Sequence, residues 1–163
     1  MSPWPCPFSQ AAGFVHALAL DAGGALPHVG AMTDGLPPTL EEIETIAHDT
    51  VEALPEAFRG PARTVAIRVE DFPSDDMLAS LDIDSPFELT GLYEGIPLTE
   101  KSVFDQPGGP DVIWLFRRPI LDEWADRGDV EIGALVAHVM VHELAHHFGW
   151  SDDDIASIDR WWE

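Results

Sequence analysis

The chain has 163 residues, with 8 Lys and Arg against 30 Asp and Glu, which gives a formal net charge of −22. That length fits one domain with a real core, and 45% hydrophobic with 23% charged residues is ordinary for a soluble globular protein. The charge argues against nucleic acid as a partner, because neutralising phosphates takes clustered Lys and Arg and Lys101 is the single lysine. A polyanionic surface suits cations, basic peptides or mere solubility.

One cysteine, Cys6, cannot form an internal disulfide, which points to a reduced compartment. No Lys or Arg precedes Arg59, so the apolar run Ala11 to Leu20 lacks the basic start of a secretory signal. No uncharged apolar stretch approaches the roughly 18 residues a membrane span needs. A cytoplasmic protein with no membrane association is expected.

Residues 1–38, rich in Ala, Gly and Pro, read as a flexible or loosely packed extension, and 39–163 as the folded domain. Thr39 with Glu42 forms a capping-box pattern, and Leu40, Ile43, Ile46, Ala47, Val51 and Leu54 recur at helical spacing, predicting a helix over about 40–54. Its outer face carries Glu41, Glu44, Asp49 and Glu52 as solvated charge. Thr64 to Glu70 alternates as a strand, Ser74 caps a short helix through Leu81, and Phe87 to Tyr93 reads as an edge strand interrupted by Gly91 and Gly95. Gln106 to Pro110 is a turn, and Val112 to Phe116 is apolar throughout, as in a central strand. Pro119 starts a helix that ends near Arg127 and Gly128. From an N-cap at Asp129, Val130 to Phe148 is helical and apolar on both sides, so this helix should be buried in the middle of the domain. Gly149 supplies a left-handed stop, and Ser151 opens a last helix.

The chemistry is concentrated in His142-Glu-Leu-Ala-His146. Two histidines four apart share one helix face and can offer their nitrogens to a single ion. Glu143 beside them can take a proton from a water activated by that ion. A third ligand is needed, since zinc hydrolases usually combine three protein ligands with one open position. A glutamate on a later helix should lie well downstream, but of the 17 residues after His146 only Glu163 is a glutamate. A local carboxylate is therefore expected: Asp152, reached through the reversal at Gly149, with Asp153 the alternative. The three acids Asp152 to Asp154 also suit the first turn of a helix capped by Ser151. His138 and His147 flank the motif and read as core or supporting histidines rather than ligands.

Val69 to Pro73, Phe87 to Leu98, Phe116 to Trp124 and His142 to Asp154, taken together and in order, resemble the short, mostly bacterial minimal zincin-like zinc metallopeptidases. The resemblance implies an α+β zincin-like fold in which a small mixed sheet packs on a buried active-site helix with a backing helix behind it. It implies one zinc ion held by His142, His146 and Asp152, and a peptide or protein substrate. No methionine follows the motif, so the Met-turn of metzincins is not expected.

The expected function is amide hydrolysis by zinc-activated water with Glu143 as general base; the alternative is a noncatalytic zinc-binding adaptor domain of the same fold. In zincins an extended substrate typically pairs with an edge strand, a role that Gly91 to Gly95 could fill. Tyr93, the single tyrosine, is assigned to packing ahead of oxyanion stabilisation. Arg117 and Arg118 are assigned to surface salt bridges ahead of a substrate carboxylate.

Overall fold

The computed structural model describes residues 36–54, 56–102, 109–128 and 130–151. Most of the N-terminal extension, the expected turn around 106–110 except its last two residues, and the last helix beyond Ser151 lie outside them, as do Asp129, Asp152 and Asp153.

Helix α1 spans Leu40–Glu52. The capping box forms as expected: the Glu42 amide donates to Thr39 Oγ1 (3.2 Å) and the Thr39 amide to Glu42 Oε2 (2.7 Å). Ile43, Ile46, Ala47 and Val51 face inward, while Glu41, Glu44, Asp49 and Glu52 stay exposed. A short helix, α2, follows at Glu56–Ala62. Seven residues containing Gly60 and Pro61 carry no helical period in the sequence; Pro61 falls so near the C-terminal end that the helix stops one residue later.

Strand β1 is Ala66–Glu70. It begins two residues later than expected because the Thr64 and Val65 amides are spent on turn bonds to the carbonyls of Pro61 and Ala62. Helix α3 spans Asp75–Ser80, capped by Ser74 Oγ, which accepts from the Met77 amide. The expected strand from Phe87 is shorter than read. Ser85 and Glu88 cap a 3₁₀ turn at Pro86–Glu88, which takes Phe87 out of extended geometry, so β2 runs only over Gly91–Glu94. Gly91 is paired rather than an interruption, opposite Leu115.

Strand β3, Val112–Phe116, is central in the order β1-β3-β2, parallel to β1 (Ala66 opposite Val112) and antiparallel to β2 (Glu94 opposite Val112). Helix α4 follows at once as Arg117–Arg127, with Pro119 in its first turn. The motif helix, α5, spans Ile132–His147. It starts later than expected, its N-cap position being Glu131, which makes no side-chain capping bond.

The fold is α+β. Helix α5 packs against α1, α4, β2 and β3, and α1, which also covers β1, is the backing helix. Burial explains why α5 is apolar all round: Ile132, Val136, Val139, Met140 and Ala145 are fully enclosed. No described helix is long and apolar enough to cross a membrane.

Ile43, fully buried on the inner face of α1, should be a sensitive position. Ile43→Ala is expected to lower unfolding stability by about 2–5 kcal/mol in urea titration, and Glu41→Ala on the exposed face by less than about 0.5 kcal/mol.

Candidate active site

The last two turns of α5 hold the motif. His142 and Glu143 are each 6% exposed, and His146 is half-buried. The two rings meet edge to face with centroids 4.9 Å apart, and His142 Nε2 and His146 Nε2 lie 3.2 Å from each other. Two nitrogens each bound at about 2.0–2.1 Å to one tetrahedral zinc would be about 3.3 Å apart, so the pair fits a shared ion.

The helix end sets the orientation of His146. Gly149 takes a left-handed φ of 91°. Its amide bonds to the His146 carbonyl and the Trp150 amide to the Ala145 carbonyl, the double closure of a Schellman turn. This turn brings the Trp150 carbonyl 3.0 Å from His146 Nδ1. A carbonyl only accepts, so Nδ1 carries the hydrogen and Nε2 keeps its lone pair on the His142 side, the tautomer a metal ligand needs. The stop at Gly149 follows from the sequence, whereas the carbonyl that it brings to His146 is set by the folded turn.

Glu143 lies against the edge strand. A Cβ on Gly91 would stand 3.1 Å from Glu143 Oε1 and 2.7 Å from Val139 Cγ1, so only glycine lets β2 approach the carboxylate this closely. Among the described residues strand β2 has a partner on one side only, and its first residue, Gly91, lies beside both the Glu143 carboxylate and Val139 of the motif helix.

The structure brings together His142, His146 and Glu143. The expected third ligand, Asp152, and its alternative, Asp153, lie outside the described residues, among which no group of three or more His, Cys, Asp or Glu is arranged to hold a metal. His138 is buried one turn before His142. Tyr93 packs against the core, and its hydroxyl donates to Asp111 Oδ2 (3.0 Å) and lies 3.1 Å from His147 Nδ1. Burial first, then Asp111, push its phenol up from the ordinary value. That hydroxyl is committed away from an oxyanion. Arg117 donates to the Pro38 carbonyl and pairs with Asp71, while Arg118 stacks over the Phe72 ring at 5.8 Å.

A profile of zincin-like metallopeptidases matches residues 62–162. The chain belongs to the zincin-like metallopeptidase family. Comparison with curated proteins returned no match.

Two outcomes follow from the packing. Gly91→Ala should destabilise the fold by about 1–3 kcal/mol in urea titration through overpacking against Val139 and Glu143, whereas Gly60→Ala, with open space around it, should be neutral or stabilising by up to about 1 kcal/mol. His138 is pushed down to about 3, by burial first and then by His142 and Arg127. The unfolded chain takes up this proton near pH 6.5 while the fold resists it. Stability of the metal-free protein should thus be level above about pH 7 and fall below 6.5, by at most about 1.4 kcal/mol per pH unit for this residue. His138→Leu should make the decline shallower in urea midpoints compared at pH 7.5 and 5.

Proposed function

We propose that this protein is a zinc-dependent peptidase that cleaves amide bonds by water addition. The observation that carries the reading is the 3.2 Å approach of His142 Nε2 and His146 Nε2 on a helix whose next carboxylate, Glu143, rests against a sheet edge. His142, His146 and Asp152 would hold one zinc ion. When bound, zinc supplies positive charge that lowers the pKa of a water and polarises the scissile carbonyl.

The chain's own groups do the rest. Glu143 accepts the proton of the attacking water on its carboxylate and delivers it to the nitrogen of the leaving amine, acting as base and then as acid. Its burial strengthens each of these interactions. The outer edge of β2, unpaired among the described residues, offers main-chain groups to an extended peptide, which would lie as an added strand with its carbonyl carbon above Glu143. Gly91 keeps that strand close to the carboxylate. The Trp150 carbonyl holds His146 in its ligand tautomer.

Purified protein should contain about one zinc per chain by elemental analysis, and His142→Ala should lose it. Glu143→Gln should retain the metal and lose cleavage of a mixed peptide library by at least about a hundredfold. Asp152→Ala should weaken zinc binding, read by chelator competition. A Glu143→Gln protein that cleaves like wild type would sink the mechanism, and a metal bound by four protein ligands with no open position would favour the noncatalytic adaptor.

A further inference from the structure

Apart from the histidine pair, a second polar cluster joins β2, the segment after it, the residue before β3 and the end of α5. Asp111, immediately before β3, is enclosed with its side chain 9% exposed. Its Oδ2 accepts from Tyr93 of β2 (3.0 Å) and from Lys101 Nζ in the segment after β2 (2.6 Å), and lies 3.1 Å from His147 Nδ1 at the end of α5. A Cβ on Gly95 would fall 2.5–2.8 Å from the Asp111 side chain, so the backbone there leaves room for this carboxylate. Burial alone would raise the Asp111 carboxyl, but Lys101 and Tyr93 hold it below the ordinary value, so it is a carboxylate with its donors in place.

The cluster acts on the geometry of the site through the last turn of α5. His147 is fully buried and its ring is fixed by Asp111 and Tyr93. Its carbonyl accepts from the Leu98 amide (2.9 Å), again from the segment after β2. His146 precedes it in the same turn and reaches the ligand position on another face of the helix. A single carboxylate oxygen therefore ties the helix that carries the histidine pair to the strand that lies on Glu143.

We propose that Asp111 is a positioning residue for the peptidase site: through Tyr93 and His147 it fixes the rotation of the last turn of α5 relative to edge strand β2. The proposal rests on the peptidase reading above. Misplacement by about 1 Å at a reacting centre costs on the order of a hundredfold in rate, so a buckle of this kind is read in catalysis and in the metal site before it is read in folding.

The test uses the full chain with Asp111→Asn, Tyr93→Phe and Lys101→Met, each checked for folding by circular dichroism. Zinc affinity is read by chelator competition, coordination by the visible spectrum of the Co²⁺-loaded protein, and the helix end by amide exchange at Leu98 in the metal-free protein. Asp111→Asn and Tyr93→Phe should weaken zinc binding about three- to tenfold, change the cobalt spectrum, speed Leu98 exchange about tenfold and lower kcat at least tenfold with a smaller change in KM. Lys101→Met, which removes the 2.6 Å donor to Asp111 but leaves Tyr93 and His147 on the carboxylate, should move each reading in the same direction by a smaller amount. If Asp111→Asn does not fold, Tyr93→Phe decides, since it removes one oxygen and keeps the ring. A lowered melting temperature with zinc affinity, cobalt spectrum and kcat all within twofold of wild type would overturn the proposal and leave the cluster a purely stabilising contact. A wild type that binds zinc but cleaves no peptide would refute the peptidase reading, with the cobalt spectrum and zinc affinity still deciding the positioning role. A wild type that binds no zinc would overturn both.

Discussion

A helix that must be buried and must also carry polar groups is the constraint that the rest of the structure answers. Helix α5 is enclosed by α1, α4, β2 and β3, yet it brings His138, His142, Glu143 and His147 inside with it, each less than 7% exposed. A polar side chain removed from water is costly unless something replaces the water. For His147 the replacement comes from Asp111 and Tyr93. For His142 and His146 it includes each other across 3.2 Å, a spacing that also suits one tetrahedral ion. The apolar surround that makes these groups expensive is what makes their electrostatics strong, because charge interactions are weakly screened there.

Strand β2 and the segment that follows it meet the candidate site at several points. Between Gly91 and Lys101 the chain presents a strand edge beside Glu143, gives Leu98 to the His147 carbonyl, sets Thr99 against Gly149 and ends with the ammonium on Asp111. Gly149 needs its left-handed φ and also needs to lack a Cβ, since one would collide with Thr99. The turn that orients His146 and the segment that borders the site are thus fitted to each other.

Much of this architecture was legible in the residues. The capping box at Thr39 and Glu42, the apolar central strand, the helix buried on all sides and the Gly149 stop all follow from local patterning, and each forms, the buried helix starting two residues later than its apolar pattern. What was not legible depended on contacts distant in sequence or on competition for single hydrogen bonds. Strand β1 loses its first two residues to turn bonds, and β2 loses Phe87 to a 3₁₀ turn capped by Ser85. Of the site, the His142, Glu143 and His146 grouping is a consequence of spacing alone. Asp111 carried no signal, since an acid after Gly109-Pro110 resembles any turn residue, and Gly91 read as a break because its value lies in what it leaves empty beside Glu143.

The parallel pairing of β1 with β3 has a consequence for assembly. Ala66 meets Val112 only after the chain between them, which includes α3 and β2, has been brought into place. Closures of that sequence separation are slow compared with helix formation. The two histidines of α5, by contrast, are neighbours through one helical turn and need nothing distant to face the same way. The histidine pair is therefore a local product of the chain and the strand beside Glu143 a global one, so a partly folded molecule can present the first while still lacking the second.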